Sequence, residues 1–131
     1  MSGQMVERSD TPHLPRAAPI DAYGKGGFRF AGMSHRGSLL CLPSGIWAWP
    51  VARPDDIDAA ALAMVFSEAR QIELFLLGTG DAIWDMPDEL RRQFRDHGIA
   101  VEVMRTGAAV RTYNIVLGER RRAAAGLIAV G

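Results

Sequence analysis

A single cysteine, Cys41, in a chain of 131 residues leaves no internal disulfide and suits a reducing compartment. Long apolar runs are missing too: no stretch approaches the ~20 uninterrupted apolar residues of a membrane span. Neither charge sign is in surplus, since 15 Lys and Arg face 15 Asp and Glu for a formal net charge of +0. No long-range field therefore draws the chain to nucleic acid or to an anionic membrane. The same neutrality gives little repulsion between copies, which leaves a homo-oligomer open. His13, His35 and His97 are scattered, and no CxxC or HxxxH spacing marks a metal site. The N-terminal stretch has no apolar centre of a secretory signal. Its arginines are too few and its acids too many for a mitochondrial presequence. These absences predict a soluble cytoplasmic protein with no cofactor, no metal site and no membrane insertion.

What is present is an ordinary globular composition, 48% apolar and 23% charged, long enough for one domain with its own core. Residues 1–19 are polar and carry Pro12, Pro15 and Pro19, which predicts a flexible N-terminal tail; residues 20–131 form the domain. Phe28 and Phe30 alternate with polar or small residues between glycines, which reads as a strand. Ser38–Leu42 and Ile46–Trp49 follow as two more, so the pattern predicts an antiparallel meander. Trp47 and Trp49 share a face, as core or as a binding surface. Cys41, inside LLCLP, reads as a small buried hydrophobe.

Asp55 or Asp56 then caps an amphipathic helix to about Arg70, with Ala61, Leu62, Val65, Phe66 and Ala69 on its apolar stripe. Ile72–Leu77 is almost continuously apolar, as in strands covered on both faces, with Glu73 near the water-accessible start. A second helix opens with Asp85 as its cap and Pro87 in the first turn, and ends at His97 and Gly98. Ile99–Val103 is the next strand. The third helix is capped by Thr106, carries Val110, Tyr113 and Leu117 on one face, and ends at Arg120–Arg122, where cations suit the helix dipole. The run AAAGLIAV closes the chain as a buried strand. Alternation of strand and helix through this half predicts an α/β sheet, with the meander as an added layer.

The chemistry-bearing positions cluster after two strands. Gly78-Thr79-Gly80-Asp81 resembles a phosphate cradle, but Ile83 stands where GxGxxG needs glycine, and the P-loop lysine is missing. A tight turn is one reading and a small-ligand contact the other. Gly78, Thr79, Gly80, Thr106, Gly107 and Arg111 are the candidates for a crevice at the carboxyl ends of the strands, with Tyr113 and Asn114 completing a polar pocket. The competing reading pairs Arg111 with Glu102 or Glu119 and buries Tyr113 in the core. Leu117 occupies the place of a short-chain dehydrogenase lysine, and no catalytic residue is assigned.

The segments FRFAGMSHRGSLLCLPSG, LLGTGD and GIAVEVMRTGAAVRTYNIVLGERRRAAAGLIAV resemble the Mth-type domain family from about Ile20 to Val130. That family includes the adipogenesis-associated Mth domain-containing protein and a mitochondrial assembly factor for respiratory complex I. The resemblance implies a compact three-layer α/β domain without assigned catalysis. Its central mixed sheet would have a last strand antiparallel to its neighbours. Two functions follow as expectations. One is a non-enzymatic protein-interaction or assembly module with a protein partner. The other is a small-molecule or anion-binding domain, enzymatic or not, using the crevice near Thr79 and Thr106. Nucleic-acid binding would rest on Arg120–Arg122 alone and is not expected.

Overall fold

A computed structural model describes residues 11–131; the tail residues before Thr11 lie outside the described part. The chain opens with a small antiparallel sheet of β1 (Ala22–Gly24), β2 (Gly27–Phe30) and β3 (Met33–Arg36). Two-residue turns join its strands, Lys25-Gly26 and Ala31-Gly32, and all four residues have positive φ, 54°, 81°, 50° and 75°. That is the turn geometry whose twist matches paired antiparallel strands. β4 (Ser38–Leu42) and β5 (Gly45–Trp49) then enter a five-stranded sheet with β6 (Leu74–Gly78), β7 (Ala100–Met104) and β8 (Ala123–Leu127), in the order β5-β4-β8-β6-β7.

The added antiparallel layer is therefore present, but its membership differs from the expected meander. Only the Phe28–Phe30 strand belongs to it; β4 and β5 pair with each other and β4 with β8. The last strand also departs from the resemblance: β8 is antiparallel to β4 but parallel to β6, with Leu74 opposite Ala123. The reason lies in the connection. A helix carries the chain from β7 across β6 to β8, and a crossover of this kind returns the strand parallel.

Each central strand is buried on both faces. Leu39, Cys41, Leu74, Leu76, Ala125 and Leu127 face one core with Phe28, Phe30 and helix α3 (Thr106–Gly118). Leu40, Leu42, Phe75, Leu77 and Ala124 face the other core, beneath α1 (Ala63–Ser67) and α2 (Asp88–Asp96). Helices on both faces of the sheet make three layers. Trp49 is buried in the second core, its indole N–H donating to Ala61 O at 2.9 Å, and Trp47 packs half-buried beside it. Gly126 makes this possible, because a β-carbon there would stand 2.7 Å from the Trp49 ring.

Three local expectations need correction. The first helix is short: Asp56 Oδ2 accepts from the Ala52 and Arg53 amides, and Asp58 Oδ1 from the Ala61 amide. These side-chain bonds compete with helical pairing and leave a 3-10 turn at Pro54–Asp56 ahead of the five-residue α1. Helix α2 starts at Asp88 with Pro87, not Asp85, as its cap. Gly98 (φ 72°) ends it as expected, and the Ile99 amide folds back onto Phe94 O. Finally, the described part of the expected tail is held on the domain. Leu14 bridges to Ile46 on β5, and Ala18 is buried.

Candidate functional site

Strand β6 and helix α3 place the predicted crevice where they meet. Gly78 ends β6 against the helix start, where a β-carbon would lie 2.8 Å from Thr106 Cα. The chain then turns through Gly80, at φ 86°, and three hydrogen bonds close the gap. The Gly80 amide donates to Thr106 Oγ1 at 2.8 Å, the Thr106 amide donates to Gly80 O at 3.0 Å, and Thr106 Oγ1 donates to Ile128 O at 2.7 Å. Thr79 is equally occupied, its amide donating to Met104 O and its hydroxyl to Ala82 O at 2.6 Å. Both threonines are buried, Thr106 at 0% exposure. Thr106 was expected as the helix cap; Arg105 holds that position, and Thr106 instead ties three segments together from inside the first turn.

Gly78, Thr79, Gly80 and Thr106 thus come together, while the other four candidates lie elsewhere. Gly107 faces the small sheet, and its bare α-carbon lets the Tyr23 hydroxyl pack against it. Arg111 is exposed beside them, its Nη1 3.6 Å from where a Gly107 β-carbon would be. Its expected ion pair with Glu102 or Glu119 is not formed: the ion pairs among the described residues are Arg92–Glu89 and Arg121–Glu73. Tyr113 is fully buried in the first core and its hydroxyl has no hydrogen-bond partner. Burial, and then the nearby Cys41, pushes its pKa upward, so it stays a neutral phenol. Burial likewise pushes the Cys41 thiol up to about 12. Asn114 clamps the N-terminal segment, accepting from the Ile20 amide and donating to Ile20 O, each at 2.8 Å.

A second feature was not expected from the sequence. The outer face of the small sheet is a concavity of ≈ 490 Å³, lined among others by Ala22, Lys25, Arg29, Ser34 and Arg36. Pairing sets its composition: Ala22 lies opposite Arg29, Arg29 opposite Ser34, and Gly27 opposite Arg36. The inner face carries Phe28, Phe30 and the half-buried His35. Its signal was present in the Lys25-Gly26 and Ala31-Gly32 dipeptides, which mark the hairpin turns.

Among the described residues, no group of three or more His, Cys, Asp or Glu side chains is placed to hold a metal ion. No helix among them is long and apolar enough to cross a membrane.

With this geometry in view, relatives place the chain. An uncharacterised protein of Rhodobacter capsulatus is 38% identical over 117 residues, covering 89% of each chain. NADH dehydrogenase [ubiquinone] 1 alpha subcomplex assembly factor 3 of Xenopus tropicalis is 33% identical over 129 residues, covering 95% of this chain and 70% of that protein. Its human counterpart is 32% identical over the same shares. Among solved structures, a protein described as an outer membrane protein of Bartonella henselae superposes with a TM-score of 0.88 at 49% identity, over 91% of this chain and 100% of that one. A Rhodopseudomonas palustris protein gives 0.81 at 54% identity, over 96% and 93%. A Mth938-like domain of Bordetella pertussis gives 0.75 at 27% identity, over 95% and 92%. The fold is thus the one the resemblance implied. The model of a protein family of unknown function, DUF498/DUF598, matches residues 20–128, and the chain belongs to that family.

Proposed function

We propose that this chain is a non-enzymatic protein-interaction module that helps assemble a larger complex. The observation that carries this reading is the closed crevice. The hydroxyls of Thr79 and Thr106 are buried and spent on backbone partners, and the loop and helix that would form a ligand site are bonded to each other instead. A buried polar group that is already satisfied has little to offer a substrate. The assembly-factor relatives support the same direction, since their sequences align with 95% of this chain. A cytoplasmic setting fits the free, buried Cys41.

The experiment is in-cell crosslinking followed by purification of a tagged chain, read by mass spectrometry and by stoichiometry on size exclusion. A defined protein partner in fixed ratio is expected. Recovery of the chain alone, with and without crosslinker, sinks the assembly reading. A ligand-dependent rise in Tm with phosphates, carboxylates or nucleotides, abolished by Thr106→Val, would instead favour a small-molecule site in the crevice.

A further inference from the structure

We infer that the outer face of the small sheet docks an extended acidic segment of a partner protein, a proposal that rests on the assembly reading above. Lys25, Arg29 and Arg36 are all exposed on or beside this face. Among the described residues none of the three has a carboxylate within 4.0 Å; the ion pairs present are on α2 and at the start of β6. Asp21 borders the face, yet it meets Arg29 through its backbone amide, not through its side chain. In a chain of zero net charge, three unneutralised cations gathered on one short sheet are a local field that the rest of the molecule does not dilute by contact.

Register gives the field a spacing. Arg29 lies opposite Ser34, so Arg36, two residues further along β3, is its diagonal neighbour. Diagonal neighbours across an antiparallel pair are about 7–8 Å apart. An extended chain places residues i and i+2 on one side roughly 6.5–7 Å apart. Carboxylates at alternate positions of an extended segment therefore match the two guanidiniums, which bind carboxylates through paired N–H donors. The floor beside Arg29, on β1, is bare. Ala22 is small and exposed, and a β-carbon added at Gly24 would meet nothing within 4 Å, so a backbone can come close.

A nucleic-acid strand fits less well. Phosphate binding of that kind draws on an overall positive charge and on exposed rings for base stacking. This chain has a formal net charge of +0, and of the aromatic residues bordering the concavity Phe28 is buried while Tyr23, although 43% exposed, has its hydroxyl packed against Gly107.

The test uses a fluorescein-labelled eight-residue peptide alternating glutamate with threonine, followed by anisotropy at low and physiological salt. Oligothymidylate of equal charge and inorganic phosphate serve as comparison probes. The double variant Arg29→Glu/Arg36→Glu should weaken peptide binding by at least about tenfold, since two charge-assisted contacts are lost and reversed. Arg92→Glu, on α2, should leave binding unchanged, and circular dichroism should show all variants folded. Equal affinity of the double variant overturns the proposal, as does tighter binding of oligothymidylate or full displacement of the peptide by phosphate at equal concentration. The same double variant is then carried through in-cell crosslinking. A partner retained by wild type and lost by the double variant supports the face. A partner retained equally by both sinks the face and leaves the assembly reading standing. Peptide binding lost in the double variant, with no partner on wild type, supports the acidic preference and sinks the assembly reading.

Discussion

Thr106 and Gly80 are hydrogen-bonded in both directions, the Gly80 amide to the Thr106 hydroxyl and the Thr106 amide to the Gly80 carbonyl. The hydroxyl's own proton goes to Ile128 O, so one side chain joins the β6 turn, the α3 start and the end of β8. Thr106→Val keeps the shape and removes both hydroxyl bonds, leaving the buried Gly80 N–H and Ile128 C=O without that partner. The expected loss is about 2–4 kcal/mol, from two buried groups left unsatisfied. Urea unfolding measures it. Thr106→Ser, which keeps the hydroxyl, should recover most of the difference; equal loss in both variants would show that the hydroxyl is not the cause.

Asn114 grips both backbone groups of Ile20, ninety-four positions earlier in the chain. Asn114→Ala should cost about 1–2 kcal/mol for the two bonds. The readout is local as well as global. Hydrogen exchange at the Ile20 amide should quicken more than exchange at the amides of β6, because the segment before β1 loses its clamp first.

Cys41 lies on β4 in the first core, fully buried, with its thiol pushed up to about 12. The reactive thiolate is therefore scarce and shielded. A colourless native protein after addition of an aromatic disulfide reagent at pH 8, and one thiol released per chain in denaturant, are the expected results. Fast reaction of the native protein would place Cys41 in an opening segment.

Histidine titration gives the pH dependence its sign. Burial first, and then the neighbouring His13, whose ring centroid is 4.5 Å away, lower the pKa of His35; a hydrogen bond at the Ser38 backbone opposes them. The folded state thus binds its proton less readily than the unfolded chain. Stability is flat above the ordinary value of 6.5 and falls as pH drops below it, through the lowered folded value. Thermal unfolding between neutral and mildly acidic pH should show this slope, and His35→Gln should flatten it. A slope unchanged in His35→Gln would assign the effect to other groups.

The local periodicities were informative where the physics is local. The almost continuously apolar run at Ile72–Leu77 announced a strand covered on both faces, and β6 is buried at every position. His97-Gly98 announced a left-handed helix stop, which the positive φ of Gly98 supplies. Glu73 announced the wet end of its strand, and there its carboxylate accepts from the Arg122 amide at 3.2 Å. The helix expected to Arg70 failed for an equally local reason that periodicity does not register, the short-range bonds of Asp56 and Asp58.

By itself the sequence determined which segments are apolar on one side or two, where the chain turns, and that βα alternation fills its second half. Those properties depend on neighbours a few residues apart. Only the tertiary structure decided what the polar residues do, because their partners are distant in the chain. Thr106 reads as a helix cap until Gly80 and Ile128 arrive at its hydroxyl, and Asn114 reads as a pocket residue until Ile20 occupies it. Arg29 and Arg36 are seven positions apart on paper. They become one cationic face only when a two-residue turn folds β3 back along β2 in a single register.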